Sequence, residues 1–567
     1  MTPVVFDGCF GWFHPGAGAR GVVLCSPHGY EELCVHRVWR GLAMQLASSG
    51  LPTLRFDYAG TGDSAGDDEQ PDRVRAWLDS IHAAVKWMRA EAGVQQLALV
   101  GLRLGATLAA IAAEQLGGIE ALVMLAPPVT GRAWARELKA LAMMAPPLAG
   151  APPPRPEWTD DLEAAGFVLT AQTLKELGSL DLLKLLRSPA KRVLILHRPD
   201  APSDARLPAK LRDLGAKVEE APFKGYAELM RDAHSAKIPE AAFATLTPWL
   251  NEGAAAAPPS HATPRSGLLA LPGLVEEPVF FGAADALFGV RCAPGGPDRQ
   301  RPAVLFLNTG SNHHIGSNRM TVTLARRLAS QGFHSLRFDL AGIGDSPAWP
   351  GHPDNRLYSK DSCADVRAAL DWLERQGQKR CVVVGLCSGA YLGFHTAIED
   401  PRIIGQVLIN AQRFAWNPGD TLEIAMRKSF KSTRFYLETA LKPETWQRAL
   451  SGDLNLVGIG QTLLERGLKR ARSKADAVRS RVLGPGAEKS EVARGFVLLS
   501  DRGVQTLLVY SAQDGGLDEL DAHLGSGGKK LEGRENVKIQ ILEGADHTLT
   551  ARWARERFAQ LLETFLG

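Results

Sequence analysis

The chain has 567 residues, and its 65 basic and 62 acidic side chains leave a formal net charge of +3. This length predicts two large domains, because single α/β domains rarely exceed about 250 residues. A hydrophobic fraction of 45% and a charged fraction of 22% exclude wholesale disorder. The nearly balanced charge gives no indication of a dedicated nucleic-acid-binding protein.

Cysteine usage and the N-terminal segment indicate a reducing compartment. The seven cysteines are odd in number, irregularly spaced and without a Cys-x-x-Cys pair, which argues against a disulfide framework and against zinc. Residues 1–7 lack the basic and apolar regions of a signal peptide. The most apolar run, 97–113, contains Arg103 and is shorter than the roughly 20 residues of a membrane span. We therefore expect a cytoplasmic protein without a metal or a membrane span.

One unit occurs twice in the chain. Residues 54–64 read Leu-Arg-Phe-Asp-Tyr-Ala-Gly-Thr-Gly-Asp-Ser, and residues 336–346 read Leu-Arg-Phe-Asp-Leu-Ala-Gly-Ile-Gly-Asp-Ser. Residues 100–106, Val-Gly-Leu-Arg-Leu-Gly-Ala, pair in the same way with 384–390, Val-Gly-Leu-Cys-Ser-Gly-Ala. The two separations are 282 and 284 residues, and such similar offsets indicate a duplicated domain.

A linker separates the two copies. Residues 251–267 are rich in alanine, proline and serine and show no apolar periodicity, which is typical of a connecting segment. We place the boundary near residue 262, with a first domain at 1–252, a linker at 253–270 and a second domain at 271–567.

Short apolar runs alternate with helical patterns such as 37–49 and 73–92 within each copy. Continuous apolar strands separated by helices predict a parallel, doubly wound sheet with right-handed crossovers. The predicted strands are 21–26, 51–56, 97–101, 121–126 and 192–197 in the first half, then 303–307, 333–338, 380–385, 405–410 and 505–511 in the second.

Each copy also carries an insertion before its next-to-last strand. The insertions, 129–188 and 412–500, are rich in residues that favour helices. In a doubly wound sheet such segments lie over the carboxyl ends of the strands, where ligands bind. Both insertions are therefore candidate lids.

A candidate nucleophile lies where a strand of the second half runs into a helix. Residues 385–389 read Gly-Leu-Cys-Ser-Gly, a Gly-x-nucleophile-x-Gly turn that presents Cys387 at its tip. The positive end of the helix dipole lowers the pKa of a cysteine in this place and favours the thiolate. The alternative is that Cys387 is only a small buried residue.

Two backbone amides are predicted to hold a developing oxyanion. One is the amide of Ser388, directly after the nucleophile. The other comes from the loop 307–314, where the amide of Ser311 matches the Ser-Pro-His-Gly-Tyr loop, 26–30, of the first half. His313 or His314 in this loop is a candidate substrate contact. The alternative is that these histidines have no role in the site.

The acid and base are predicted from the chain order nucleophile, acid, histidine. Asp514 follows the strand 505–511 and is the expected acid, with Asp518 as a weaker rival. His547 follows the short strand 537–542 and is the expected general base. The alternative for His547 is a surface histidine beside Asp546.

The first half lacks a candidate nucleophile and a candidate base at the equivalent positions. Its turn, residues 101–105, presents Arg103, and a guanidinium is always protonated and does not attack a carbonyl. Asp200 matches Asp514 in spacing, but Glu228 stands where the second half has His547. Arg103 either binds an anion or forms a salt bridge to Asp200 or Glu228 in a degenerate site; we favour the salt bridge.

The second insertion contains a basic stretch. Residues 461–481 include seven basic side chains, Arg470 and Arg472 among them, against two acidic ones. This stretch is either an ordinary solvated helix face or a docking surface for an acidic carrier protein or the phosphates of a pantetheine arm.

These residues resemble those of α/β-hydrolase-fold proteins of the serine-aminopeptidase-like group, over almost the whole chain apart from the linker. The Arg-Phe-Asp-x-Ala-Gly-x-Gly-Asp-Ser segments match a turn common in that group. The first half resembles hydrolase-like domains encoded beside bacterial exopolysaccharide and exosortase systems. The second half is similar to cysteine-elbow hydrolases found near acyl-activating enzymes and acyl carrier proteins. The resemblance implies two tandem α/β-hydrolase domains, each a mostly parallel doubly wound sheet with a helical lid.

These observations predict an acyl hydrolase or acyltransferase that needs no cofactor. Its donor would be an ester or a thioester, the latter carried by coenzyme A or by a carrier protein. The presence of Cys387 in place of serine makes peptidase activity less expected. The competing hypothesis is a non-catalytic binding or scaffold protein in which both halves have lost activity.

Overall fold

The structure, a computed structural model, describes residues 1–254, 267–296, 300–416 and 491–567. These residues form one sheet of eight strands, one of nine and a small two-stranded hairpin. Within these ranges, no helix combines the length and the apolar character that crossing a bilayer requires.

The first sheet contains residues of the first half only, in the strand order β1-β2-β4-β3-β5-β6-β9-β10. Strands β1, β2 and β4 pair antiparallel, whereas β4, β3, β5, β6, β9 and β10 pair parallel. Its strands are β1 (Thr2–Phe6), β2 (Cys9–His14), β3 (Arg20–Cys25), β4 (Thr53–Phe56), β5 (Gln96–Leu102), β6 (Ala121–Leu125), β9 (Arg192–His197) and β10 (Lys217–Pro222).

Helices cover both faces of the first sheet, and the insertion contributes a short hairpin. The helices are α1 (Tyr30–Ser48), α2 (Arg73–Ala90), α3 (Leu104–Leu116), α4 (Gly131–Met144), α5 (Ala171–Leu177), α6 (Arg206–Asp213), α7 (Tyr226–Leu229) and α8 (Glu240–Asn251). The hairpin pairs β7 (Leu162–Ala164) with β8 (Phe167–Leu169).

The second sheet repeats this plan in the order β11-β12-β13-β15-β14-β16-β17-β18-β19. Its strands are β11 (Leu269–Leu271), β12 (Leu274–Phe281), β13 (Leu287–Pro294), β14 (Ala303–Phe306), β15 (Ser335–Phe338), β16 (Cys381–Leu386), β17 (Ile403–Ile409), β18 (Gln505–Ser511) and β19 (Val537–Leu542). Its described helices are α9 (Met320–Ser330), α10 (Cys363–Arg375), α11 (Ser388–Glu399), α12 (Glu491–Asp501), α13 (Gly516–Leu524) and α14 (Arg552–Leu566).

All eleven predicted strands of the two sheets, 537–542 included, are confirmed to within a few residues. Their continuous apolar runs arise because helices bury both faces of each parallel sheet. Strand β10 was missed because it is an edge strand with the sequence Lys-Val-Glu-Glu-Ala-Pro and only partial burial. The antiparallel strands at the start of each domain were also missed, and β11 begins inside the predicted linker.

The predicted second lid is wrong at its C-terminal end. Residues 491–500 belong to helix α12, whose side chains Val492, Phe496 and Leu499 are buried in the core beneath the sheet. They are part of the domain body. The rest of that insertion, from residue 417 to 490, lies outside the described residues.

The two domains contact each other through equivalent residues of the repeat. Arg55 on β4 forms an ion pair with Asp345 of the second domain. Arg337 on β15, its counterpart, places Nη2 2.8 Å from Oδ1 of Asp63 in the first domain. All four residues are at most 5% exposed. The repeats therefore pack with the reciprocal contacts that are typical of a two-fold symmetric dimer.

Two histidines add ion pairs to this interface. His314 places Nδ1 2.8 Å from Asp339 and Nε2 2.6 Å from Asp63. His36 lies between Glu32, at 3.2 Å, and Asp345, at 3.3 Å. Burial favours the neutral ring, but the two carboxylates outweigh it and raise the pKa of His36 to about 9. The interface therefore depends on a protonated imidazole.

We expect His36→Gln to lower the free energy of unfolding at pH 7 by roughly 2–3 kcal/mol, given about 1.4 kcal/mol per pKa unit. Because its pKa is raised on folding, the contribution of His36 is complete below pH 6.5 and is lost as the pH rises through about 9. Chemical denaturation of both proteins from pH 6 to 10 measures this difference. His82→Gln, on the surface of α2, is the control, and a difference that does not shrink above pH 9 would contradict the assignment.

Candidate active site

Cys387 lies in a sharp turn between β16 and α11. Its backbone has φ 57° and ψ −111°, which is a strained conformation for a residue with a side chain. The amide of Cys387 donates to the carbonyl of Ile409, 2.9 Å away, on the neighbouring strand. A Cβ at Gly385 or Gly389 would collide with backbone atoms of Ala390 or Asn308, so the flanking glycines are required for close packing. The turn presents the cysteine side chain at the carboxyl edge of the sheet.

His547 and Asp514 follow the last two strands of the second sheet. Nδ1 of His547 lies 2.6 Å from Oδ2 of Asp514, which is buried. The other carboxylate oxygen accepts hydrogen bonds from the amide of Gly516 and from Nε2 of Gln412, each at 2.7 Å. Because Nδ1 faces this fixed carboxylate, Nε2 is the ring nitrogen available to Cys387. Asp518, the rival acid, lies one turn away at the start of α13.

Cys387 and His547 form a charge-stabilised pair. Burial raises the pKa of the thiol, but the charge of His547 and hydrogen bonds from His547 and Tyr358 outweigh it and hold that pKa below its usual value. Burial likewise disfavours the charged imidazole, but the thiolate and Asp514 raise the pKa of His547 above its usual value. A thiolate facing an imidazolium is the reactive form of a cysteine nucleophile.

The other six cysteines have the opposite environment. All six are buried, whereas Cys387 is partly accessible. Burial raises the pKa of each of these thiols, to about 11 for Cys9 and about 12 for Cys34, Cys292 and Cys381. Cys25 and Cys363 are shifted in the same direction. Reactivity toward electrophiles should therefore be confined to Cys387.

Tyr358 is a site residue that the sequence did not reveal. Its hydroxyl lies 3.2 Å from Sγ of Cys387, and burial raises the pKa of the phenol, so this hydroxyl donates. The ring stacks on Trp416 at 4.7 Å and meets the edge of Tyr391 at 5.5 Å. The backbone of Tyr358 is also strained, with φ 54°. Tyr358 lies in the loop before α10, in no motif, so only the fold brings it to the cysteine.

Asn410 and Gln412 were also missed. Asn410, at the end of β17, donates from Nδ2 to the carbonyl of His547 at 2.7 Å and to Ser511 Oγ at 3.0 Å. Gln412 binds Asp514 and lies 3.2 Å from Nδ1 of His547. These two amides join the loop that carries the acid to the loop that carries the base.

The predicted oxyanion residues come from two neighbouring segments. The amide of Gly310 donates to Ser388 Oγ at 2.9 Å, so the loop with Ser311 lies against the start of α11. The hydroxyl of Ser311 is buried and, among the described residues, has no hydrogen-bond partner. The role of the Ser311 and Ser388 amides stays a prediction.

His313 and His314 are buried between the domains, which corrects their placement at the substrate. The ring of His313 is 4% exposed and stacks on His36 of the first domain, with 3.7 Å between centroids. His314 binds Asp63 and Asp339. Two clusters at this interface have metal-ligand residue types, one around His313 and one around His314, but carboxylates already pair with His36 and His314.

The first domain has the same turn, but with arginine in place of the candidate nucleophile. Arg103 has φ 54° and ψ −124°, much as Cys387 does. Its Nε donates to Glu31 at 2.8 Å, and its Nη2 pairs with Glu137. The predicted pairing with Asp200 or Glu228 is therefore wrong: Asp200 pairs with Arg198, and Glu228 is exposed on α7. Two carboxylates already neutralise Arg103, which leaves little attraction for an anion.

Neither the cavity between the domains nor the basic stretch adds a residue to the candidate active site. A cavity of about 430 Å³ lies between the domains, and neither Cys387 nor His547 lines it. Its arginines and acids largely pair with one another, for example Arg552 with Glu69 and Arg155 with Glu556. The basic stretch with Arg470 and Arg472 lies outside the described residues.

Two family models match the chain, one in each half. Residues 292–561 match the model of an alpha/beta hydrolase family, and residues 18–157 match that of the serine aminopeptidase S33 family. Each half of the chain therefore contains an α/β-hydrolase domain, and the two domains follow each other in tandem. No curated protein matches the sequence.

Three solved structures are each similar to about half of this chain. The esterase Est1E from Butyrivibrio proteoclasticus, with ferulic acid bound, is 20% identical and covers 44% of this chain and 98% of its own, with a TM-score of 0.33. A serine hydrolase homologue from Coxiella burnetii is 15% identical and covers 51% and 97%, with a TM-score of 0.31. A Pyrococcus furiosus esterase is 14% identical and covers 44% and 90%, also with a TM-score of 0.31.

We expect iodoacetamide to modify Cys387 at pH 7 at least tenfold faster than any other cysteine, because only this thiol has a lowered pKa. His547→Ala should slow the labelling of Cys387 and reduce this selectivity, since the thiolate loses its counter-ion. Peptide mapping after timed labelling measures both rates. If His547→Ala leaves the rate at Cys387 unchanged, then the pairing of these two residues is wrong.

Tyr358→Phe should raise the apparent pKa of Cys387 by about one unit, because a hydrogen bond to a charged group contributes on the order of 1.5 kcal/mol. The pH dependence of the labelling rate measures this shift. Tyr391→Phe is the matched control, since its ring packs against Tyr358. A profile identical to that of the wild type would show that the Tyr358 hydroxyl does not stabilise the thiolate.

Proposed function

We propose that the second domain is an acyl hydrolase or acyltransferase that works through an acyl-S-cysteine intermediate. The observation that carries this proposal is the pairing of Cys387, at the strained turn, with a histidine held by a buried carboxylate. Cys387 acts as the nucleophile, His547 as the acid and base, and Asp514 as the group that orients His547.

In the first half-reaction, the Cys387 thiolate attacks the carbonyl carbon of an ester or thioester. The negative charge that develops on the carbonyl oxygen is held by the amides of Ser388 and Ser311. His547 then donates its Nε2 proton to the leaving alcohol or thiol as the bond to the acyl group breaks. The acyl group remains on the sulfur of Cys387.

In the second half-reaction, neutral His547 takes a proton from the acceptor, which is water, an alcohol or an amine. The acceptor attacks the acyl carbon, and Cys387 leaves as the thiolate. Asp514 keeps the imidazole in the required tautomer in both steps and stabilises the imidazolium.

A thioester is the donor that this nucleophile suits best. Transfer from a thioester to cysteine exchanges one thioester for another, so that step is nearly neutral in energy. Amines attack the resulting thioester readily and water attacks it slowly, so cysteine suits transfer at least as well as hydrolysis. A donor linked to a carrier protein or to coenzyme A, in a biosynthetic pathway of the cytoplasm, is supported only by the basic stretch with Arg470 and Arg472 and by the family resemblance.

A non-catalytic scaffold is the competing function. The first domain shows that this chain carries one turn without a nucleophile, since Arg103 is bound by Glu31 and Glu137. The second domain differs because its three candidate residues are joined and its cysteine has a lowered pKa. That difference favours catalysis in the second half.

Intact-mass spectrometry after incubation with a panel of acyl-thioesters and nitrophenyl esters tests the proposal. We expect the wild type to gain the mass of one acyl group, less a hydrogen, and Cys387→Ala to gain nothing. The adduct mass identifies the acyl group that is transferred. If no donor in the panel acylates the wild type or is consumed while Cys387 still reacts with iodoacetamide, the scaffold function is favoured and the proposal fails.

A further inference from the structure

We infer that the insertion of the first domain holds the loop of the second domain that carries His547. The first domain would then position the proposed base. We call residues 148–163 of the first domain the clamp and residues 543–552 of the second domain the histidine loop. The inference rests on the proposed function, because it assigns a role to residues around the proposed base.

The clamp contacts the histidine loop on the N-terminal side of His547. A Cβ at Gly544 would overlap the backbone of Gly150 and Ala151, so the two chain segments touch through their main chains. Gly544 also has φ 73°, which favours glycine. Leu148 lines a cavity of about 210 Å³ together with Asp514 and His547. The clamp therefore reaches the catalytic pair itself.

A second set of contacts lies on the C-terminal side of His547, at Arg552. The amide of Arg552 donates to Glu163 at 2.7 Å, and its Nη1 lies 3.1 Å from Asp161. The guanidinium also pairs with Glu69 and lies 3.9 Å from the centre of the Trp158 ring. All four partners of Arg552 belong to the first domain, so one end of the histidine loop is anchored outside its own domain.

Further contacts run from the clamp through Arg555, on helix α14, into the histidine loop. Arg555, which is 3.8 Å from Glu163, donates to the carbonyl of Thr550. The amide of Thr550 donates to Oδ1 of Asp546 at 2.6 Å, directly before His547. These contacts connect Glu163 of the clamp to Asp546, the residue directly before the proposed base.

This anchoring matters because catalytic groups tolerate little displacement. Nε2 of His547 must stay within hydrogen-bond reach of Sγ, and an error of about 1 Å can cost up to a hundredfold in rate. Surface loops are otherwise among the most mobile parts of a protein. The second domain holds the histidine loop at Asn410, and the clamp holds it at Gly544 and Arg552.

The test compares Glu163→Ala, Trp158→Ala and the double variant with the wild type. We expect the double variant to raise the apparent pKa of Cys387 and to slow its labelling at pH 7 by about five- to tenfold, because the imidazolium is no longer held beside the thiolate. Glu163→Gln keeps an oxygen for the Arg552 amide and should retain most of the rate. Glu120→Ala, which removes an ion pair with Lys191 elsewhere in the first domain, is the matched control.

The readouts separate three results. If the wild type labels like an ordinary thiol and forms no acyl adduct, the proposed function fails. If the wild type is reactive and the double variant keeps the same pH profile, the clamp inference fails alone. A lower melting temperature with an unchanged pH profile also overturns it, because the contacts would then be only structural.

Discussion

Reciprocal ion pairing between the repeats determines how the two domains lie together. Arg55 with Asp345 and Arg337 with Asp63 are buried, and an unpaired charge in such a place would cost several kcal/mol. Both pairs come from the same duplicated segment, which therefore acts as a surface complementary to itself. Any other orientation of the domains would separate Arg55 from Asp345 and Asp63 from Arg337, which would keep only Glu276 of its own domain.

This orientation has consequences for the second domain. It brings the insertion of the first domain against the loop that carries His547, through Gly544 and Arg552. In the first domain, the space at the turn is occupied instead by Arg103, which forms ion pairs with Glu31 and Glu137. We propose that one copy of the fold catalyses while the other supports it.

Local patterns predicted a large part of this architecture. The apolar strands were read correctly because both faces of a parallel sheet are buried, and the strand-turn-helix at Cys387 because its glycines are needed for packing. The pairing of Asp514 with His547 follows from chain order, since both come after neighbouring parallel strands. Tyr358 and Asn410 were not predicted, because each contributes to the site only through a residue that is distant in the sequence. Tyr358 contacts Cys387, and Asn410 donates to the carbonyl of His547.

The sequence by itself determined that the chain is a duplicated α/β fold in which one turn carries cysteine and the other arginine. These properties are local: periodicity sets the strands, and residue type sets what a turn can do. Only the tertiary structure decided that His313 and His314 serve the domain interface and that Arg103 pairs with Glu31 and Glu137. The same holds for Tyr358 at the thiol and for the clamp beside His547. The reason is physical, because burial and ion pairing arise between segments that lie far apart in the chain.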